Sequence, residues 1–288
     1  MEKRDGFFKT VCTLAVPVAL QSMLQSSFGV VDQIMIGQLG SISVAGVGLA
    51  GKFASIYSVV VSAVGAVAGI MISQYLGQKN RKEVRRSFYT NLLLGAGIAG
   101  LFTVICTLCP AQIMGLYTTA PATRRAAAEY LALVAGTFIP MAGATLLSTL
   151  FRCTGKAQLP LYANIISAVL NTGVNYILIF GKLGFAPMGA KGAAVATVIA
   201  QCANFLLMVL MMPGKELATA GSMDEKSQPV KFNWSQYLSM LLPILVCEVV
   251  WSLGENVYAA IYGHLGTDAC AAMTLTNPVQ GLMIGALC

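Results

Sequence analysis

Long apolar segments alternate with short polar ones along the whole chain. A membrane-spanning helix needs about 20 apolar residues, and the apolar segments here lack the period-two alternation of a membrane strand. Because only helices and closed barrels satisfy their backbone hydrogen bonds in lipid, the pattern predicts eight helical spans. Their ranges are 11–36, 45–76, 88–110, 125–150, 159–181, 192–212, 237–262 and 269–288.

The cations lie mostly in connections that alternate spans place on one side of the membrane. They cluster in the N-terminal segment and in the polar stretches 77–87, 152–158 and 213–233. Because loops rich in Lys and Arg stay cytoplasmic, we expect a multi-pass protein of the inner (plasma) membrane with a cytoplasmic N-terminus. Lys52 falls within the second span, and we expect it near the outer end of that helix.

Composition excludes a soluble protein of this length. Hydrophobic residues make up 57% of the chain and charged residues 10%, whereas an ordinary soluble domain is about 25% charged. The net charge of +7 follows from the basic connections and indicates contact with anionic lipid rather than with nucleic acid. The sequence shows no catalytic triad, metal cluster or phosphate loop. We therefore expect no enzyme, no cofactor and no structural metal.

A repeat relates the first span to the seventh. Residues 14–49 align without gaps with residues 240–275, and eight positions are identical. The seventh span comes six spans after the first, an even offset, so both copies cross the membrane in the same direction and are related by an axis along the membrane normal. The identities include Pro17/Pro243, Gly37/Gly263, Gly40/Gly266, Ala45/Ala271 and Leu49/Leu275.

The repeat predicts the fold class and the domain organisation. We expect an all-α integral membrane protein with a six-helix lobe over 1–212, a cytoplasmic linker over 213–235 and the first two helices of a second, parallel-repeat lobe over 236–288. Two lobes of this kind need about 450 residues by the repeat length. We therefore expect the chain to be truncated and the full-length protein to be a monomer.

Several segments resemble the multidrug and toxic compound extrusion (MATE) family of secondary transporters. Their order and spacing carry the resemblance, which covers the whole chain. The segments are VVDQIMIGQLG (30–40), YLGQKNRKEVRRS (75–87), FRCTGKAQLP (151–160), LNTGVNYILIFG (170–181), PMGAKGAAVATVIAQ (187–201) and ENVYAAIYGHLGTDACAA (255–272). The resemblance implies a twelve-helix, two-lobe exporter that exchanges a cationic or amphipathic compound for a proton or sodium ion.

Asp32 is the first candidate for binding the coupling ion. An acid at the centre of a membrane helix costs ~2.5–3.5 kcal/mol on insertion scales, and such residues by default face the protein interior at a functional site. The resemblance matches Asp32 to the span-one aspartate that binds the coupling ion, H+ or Na+. The alternative is that Asp32, five residues before Gly37, lies near the outer end of the span and is simply solvated.

Asn171 and Asn175 are one helical turn apart in the fifth span and therefore share a face. Amide oxygens can ligate a hard cation. In one branch of the family the matching pair is Asn then Asp, and Thr197 corresponds to a further ligand; Asn175 replaces that second acid here. The alternative is interhelical hydrogen bonding, worth about 0.6 kcal/mol for each asparagine. Gln25, seven residues before Asp32, is expected to line the cavity.

Three more positions in the first and seventh spans are candidates. Glu248 and Glu255 are seven residues apart and share a face, and we predict that they bind the cation or the substrate, with a wet cavity as the alternative for Glu255. Pro17 removes a backbone hydrogen bond and would bend its helix. The alternative is that Pro17 lies in the first turn of the helix, where a proline costs little.

These features predict a secondary active transporter that exports cationic or amphipathic drugs or metabolites by alternating access. Its partners would be a small-molecule substrate and the lipid bilayer. Two other readings stay open. One is a flippase for a lipid-linked precursor on a related two-lobe scaffold, which would need basic residues in its cavity. The other is a non-transporting fragment.

Overall fold

The computed structural model of the chain describes the backbone of residues 2–212 and 234–287, and the side chains of residues 19–212 and 234–277. These ranges are almost entirely helical. The α-helices are α1 (Glu2–Gly37), α2 (Ser41–Gly77), α3 (Arg81–Leu108), α4 (Pro110–Gly115), α5 (Pro121–Val134), α6 (Phe138–Cys153), α7 (Gln158–Phe180), α8 (Ala190–Leu210), α9 (Trp234–Leu265) and α10 (Thr267–Leu287).

The helices confirm the prediction of an all-α integral membrane protein. Within the described residues, six segments are long and apolar enough to cross a membrane: α2, α3, the stretch Pro121–Cys153, α7, α8 and α9. The helices α1 and α10 occupy the other two predicted spans. Most of the predicted linker, 213–235, lies outside the described residues, so its boundaries stay a prediction.

The fourth predicted span is one segment in two parts. A 3-10 turn, Ala135–Thr137, separates α5 from α6. Pro140 lies in the first turn of α6, where it cannot donate a hydrogen bond to the carbonyl four residues earlier, and its ring clashes with that carbonyl. The hydrophobic pattern predicts one uninterrupted helix here because both parts are apolar. The short helix α4, between α3 and α5, was also not predicted.

The packing core of the first lobe lies where α2 meets α3, α5 and α6. Tyr57 on α2 is fully buried, and its hydroxyl donates a 2.5 Å hydrogen bond to the Phe138 carbonyl. This carbonyl stands beside the 3-10 turn, where the regular helical pattern of hydrogen bonds is interrupted. The interaction therefore fixes the break in the fourth span against the long helix α2, which also carries Lys52.

The two lobes meet through pairs of positions that the repeat makes equivalent. A Cβ on Gly37 would meet Leu275 Cδ2 at 3.6 Å, and a Cβ on Gly263 would meet Leu49 Cδ2 at 3.4 Å. The repeat offset of 226 makes Gly37 equivalent to Gly263 and Leu49 equivalent to Leu275. Exchanging the lobes therefore converts the first contact into the second. This reciprocity is the mark of an interface around a two-fold axis, and it confirms the parallel repeat.

The pseudo-two-fold axis passes close to Gly48 and Thr274, which are equivalent positions in the repeat and contact each other. A Cβ on Gly48 would overlap the Thr274 side chain. Nearby, Thr123 on α5 and Thr267 on α10 place their hydroxyls 3.0 Å apart. These contacts gather at the end of the bundle that contains the turn Gly37–Ser41, and we call this region the closed end.

We expect Gly263→Ala to destabilise the protein because the new Cβ would overlap the Tyr117 carbonyl oxygen, a backbone atom that cannot rotate away. Overpacking of this kind costs ~1–3 kcal/mol. The matched control is Gly254→Ala on the same helix, where a Cβ meets nothing within 4 Å and alanine favours helix. Thermal unfolding of the purified protein should show a lower midpoint for Gly263→Ala only; equal midpoints would contradict the close packing.

Candidate functional site

Asp32 meets both predicted asparagines at the contact between α1 and α7. Asn175 Nδ2 donates a 2.9 Å hydrogen bond to Asp32 Oδ1 and a 3.0 Å hydrogen bond to Asn171 Oδ1. Both asparagines are buried, with 1% and 8% of their surfaces exposed, and Asp32 is half-buried. The alternative of a simply solvated carboxylate is therefore wrong. The Asn175 side-chain oxygen is buried and has no partner among the described residues.

The Asn171 amide gives Asp32 a second donor in one of its two orientations. With its nitrogen towards Asp32, the amide donates to Asp32 Oδ2 at 2.9 Å and to Oδ1 at 3.1 Å, whereas the opposite orientation would bring two oxygen atoms together. Asp32 can therefore receive hydrogen bonds from the side-chain nitrogens of both asparagines.

Tyr130 on α5 connects this polar cluster to its surroundings. Its side chain lies near Thr197 on α8 and close enough to Asp32 to interact with its charge. Thr197 also donates a 2.9 Å hydrogen bond to the Ala193 carbonyl of its own helix. The predicted residue Thr197 therefore reaches the neighbourhood of Asp32 through Tyr130, a residue that the sequence did not single out.

A cavity of about 540 Å³ lies between the lobes, bounded by α1, α2, α5, α9 and α10. Its lining combines polar groups with aromatic rings, and one wall carries Gln33, the neighbour of Asp32. The Gln33 amide nitrogen is buried without a partner among the described side chains. The polar and aromatic residues of the lining are Gln33, Lys52, Ser55, Tyr130, Trp251, Ser252, Glu255, Thr274 and Asn277.

Lys52 and Glu255 form an ion pair inside this cavity. Lys52 Nζ donates a 2.8 Å hydrogen bond to Glu255 Oε2, which joins α2 of the first lobe to α9 of the second. Lys52 lies eleven residues after Ser41, about 16 Å along the axis of α2, and its position relative to the membrane surface stays a prediction. The ion pair explains how a lysine is tolerated in a membrane-spanning helix.

The structure separates the other predicted residues from Asp32. Glu248 is exposed on α9 and does not line the cavity that contains Glu255, so the shared face does not bring these acids to one site. Gln25 borders a small crevice between α1 and α7, beside Asn164, two helical turns from Asp32. It therefore does not line the inter-lobe cavity, contrary to the expectation.

Pro17 falls in the part of α1 whose side chains the structure does not describe. The backbone of α1 is helical from Glu2 to Gly37, so Pro17 is fifteen residues inside the helix. The alternative of a first-turn proline is therefore wrong, and a bend at Pro17 stays a prediction.

A family model described as MatE matches residues 17–177, which is more than half of the chain. The chain belongs to the MatE family. This confirms the resemblance to the multidrug and toxic compound extrusion family, which is a family of transporters and not of enzymes. The match runs from Pro17 in α1 to Ile177 in α7, and so includes Asp32, Tyr130 and both asparagines.

Relatives of the MatE chain are similar over nearly its full length. The "Probable multidrug resistance protein NorM" of Thermotoga maritima is 26% identical over 277 residues, which cover 95% of this chain and 59% of the relative. The "Probable multidrug resistance protein YoeA" of Bacillus subtilis is 25% identical over 295 residues, which cover 96% and 61%. The chain thus spans about 60% of the length of these curated relatives.

Solved structures share the fold of this MatE chain. A MATE protein crystallised in the bent conformation superposes with a TM-score of 0.72 at 18% identity, over 97% of this chain and 65% of that one. A MOP superfamily transporter from Pyrococcus furiosus superposes with a TM-score of 0.73 at 17% identity, over 97% and 67%. At these identities the similarity establishes the fold alone. The chemistry of the cavity follows from the residues of this chain.

We expect Asn175→Leu to destabilise the protein because Asp32 loses a donor, and a hydrogen bond to a charged group contributes ~1.5–3 kcal/mol. The loss should be smaller in an Asp32→Asn background, which has no carboxylate to satisfy. A double-mutant cycle on thermal unfolding isolates this interaction. Tyr176→Leu, a half-exposed neighbour on the same helix, is the control and should be additive with Asp32→Asn. Equal losses from Asn175→Leu in both backgrounds would contradict the pairing.

Proposed function

We propose that this chain is part of a cation-coupled exporter that moves cationic or amphipathic compounds out of the cell by alternating access. The observation that carries the proposal is the Asp32 carboxylate, held by two buried amides in the first lobe and linked through Tyr130 to the inter-lobe cavity. The names of the relatives, which are multidrug resistance proteins, support the export of drugs.

The coupling ion would bind at Asp32 as a proton or as Na+. The ionised carboxylate would be held by the amide nitrogens of Asn175 and Asn171. The unpartnered oxygen of Asn175 would offer an acceptor to a bound ion, with Thr197 and Tyr130 as neighbours.

Alternating access would open and close the contact between the lobes. The contacts Gly37–Leu275, Leu49–Gly263 and Thr123–Thr267 gather at the closed end, opposite the cation-rich stretches 77–87 and 152–158. With those stretches in the cytoplasm, the closed end faces outward. The described arrangement would then be the state that is sealed towards the outside, and the lobes would part at this end to release the substrate.

The flippase alternative has one observation in its favour. A flippase for a lipid-linked precursor would need basic residues in the cavity, and Lys52 lines it. However, Lys52 is paired with Glu255 at 2.8 Å, so the pair carries no net charge. The described lining of the cavity therefore has no excess of positive charge, and this favours an exporter of cations over a flippase for an anionic headgroup. We propose that the full-length protein works as a monomer in the plasma membrane.

We expect Asp32→Asn in the full-length protein to reduce export driven by an ion gradient by about tenfold or more, since each ~1.4 kcal/mol of lost coupling is a factor of ten. The measurement is efflux of a fluorescent organic cation from proteoliposomes under an imposed proton or sodium gradient. Asp268→Asn, an exposed acid in the first turn of α10, is the control and should export normally. Unchanged ion dependence in Asp32→Asn would refute the role of this carboxylate.

The proposed orientation makes a separate prediction. Gln78→Cys, in the polar connection after α2, should resist a membrane-impermeant maleimide applied to intact cells and react after the cells are opened. Leu183→Cys, in the connection between α7 and α8 and 81% exposed, should react in intact cells. The reverse pattern would invert the topology and would place the closed end in the cytoplasm.

A further inference from the structure

The ion pair between Lys52 and Glu255 is accessible from the cavity, unlike a buried structural ion pair. Their side chains are 27% and 40% exposed, and both line the cavity of about 540 Å³ and a second one of about 210 Å³ beside it. A ligand in either space can therefore reach both charges. Lys52 and Glu255 are also 203 residues apart in sequence, so the ion pair exists only while α2 and α9 stand together.

The surroundings of Glu255 have the chemistry that recognises an organic cation. The rings of Tyr130 and Trp251 line the same cavity, and aromatic faces attract ammonium and similar cations, most strongly where water is excluded. The Ser252 hydroxyl is buried without a partner among the described residues. A carboxylate in a cavity that also carries aromatic rings is an attractive site for a positive ligand, but here Lys52 already occupies it.

We propose that Lys52 is a tethered competitor for an organic cation at Glu255, so that binding of the cation breaks the ion pair between the lobes. A cation that contacts Glu255 takes over the carboxylate, and its charge repels the Lys52 ammonium. The contact between α2 and α9 then loses its only ion pair within the described side chains. Binding of a cation at Glu255 and closure of the contact between α2 and α9 would therefore exclude each other.

This competition gives the cavity a way to couple binding to movement. An unliganded cavity keeps Lys52 on Glu255 and the closed end together, whereas a liganded cavity removes that attraction and favours separation of α2 from α9. The direction of transport in this account rests on the proposed export function. The competition itself does not, because it concerns equilibrium binding and needs no ion gradient and no Asp32.

Binding of tetraphenylphosphonium to the full-length protein tests the competition. Its charge does not change with pH, and it can be titrated calorimetrically in detergent without a gradient. Lys52→Met should tighten binding by about tenfold or more because Glu255 is left without its internal cation. Glu255→Gln should weaken binding by a similar factor because Lys52 then repels the ligand. The double variant Lys52→Met/Glu255→Gln, in which neither charge remains, should lie between the two.

Lys191→Met is the control for a general change in charge. Lys191 is an exposed cation paired with Glu129 at 3.3 Å, away from the cavity, and its removal should leave the dissociation constant unchanged. Weaker or unchanged binding in Lys52→Met would overturn the proposal and would make the ion pair a purely structural contact. Asp32→Asn should keep the effect of Lys52→Met, so a failure of ion coupling at Asp32 is distinguishable from a failure of the competition.

A chemical variant keeps the test valid if Lys52→Met does not fold. In a background without other reactive cysteines, Lys52→Cys can be compared before and after modification with aminoethyl methanethiosulfonate, which restores a positive charge on the same folded protein. Modification should weaken binding of tetraphenylphosphonium by about tenfold. A modification that goes to completion without changing affinity would also overturn the proposal.

The separation of the lobes can be followed at the closed end. The hydroxyls of Thr123 and Thr267 are 3.0 Å apart, so Thr123→Cys/Thr267→Cys should form a disulfide when this end is closed. Saturating tetraphenylphosphonium should slow formation of the disulfide several-fold. In a protein that also carries Lys52→Met/Glu255→Gln, the same ligand should have little effect on this rate. An unchanged rate with saturating ligand and intact Lys52 would refute the link between binding and separation.

Discussion

A polar side chain within a lipid bilayer must find its hydrogen-bond and charge partners inside the protein, because no water is available in the hydrocarbon region. This constraint organises the chain. Asp32 is satisfied by two amides from α7, and Lys52 by Glu255 from α9. The first arrangement holds one lobe together, whereas the second crosses from one lobe to the other. These pairings tie α1 to α7 and α2 to α9.

The geometry that allows these pairings depends on small residues where helices approach each other. Gly48 contacts Thr274 near the pseudo-two-fold axis, and Gly37 and Gly263 each receive the leucine of the opposite lobe. Without a hydrophobic driving force between helices in lipid, such close packing supplies much of their association. It also explains why the glycine and leucine positions are identical in the two copies of the repeat: each pair makes the same contact when the lobes are exchanged.

Much of the fold could be predicted from the sequence because the bilayer imposes simple rules. Apolar length predicted the spans, and the repeat predicted a parallel second lobe. The asparagine pair could be predicted as a unit because a spacing of four residues places both side chains on one face. Its contact with Asp32 followed from the resemblance, not from the spacing.

Contacts between distant helices could not be predicted in the same way. The pairing of Lys52 with Glu255 could not be predicted because the two residues are 203 positions apart, and no local pattern indicates it. Tyr130 was missed for a similar reason, since it follows a charged stretch at the start of the fourth span and reaches Asp32 only through the packing of α5 on α8. Glu248 and Gln25 show the opposite error, in which correct helical spacing was taken as evidence of a shared site.

The two charged centres are connected by the wall of the cavity. Tyr130 lies beside Asp32 and Thr197 on one side and lines the inter-lobe cavity on the other, where Lys52 and Glu255 also stand. A carboxylate that changes its charge within the first lobe therefore acts on a residue that a ligand in the cavity would touch. Coulomb interactions are stronger where water is scarce. On the two proposals above, an ion at Asp32 and a cation at Glu255 would each act on Tyr130, and the binding of one would influence the binding of the other through this residue.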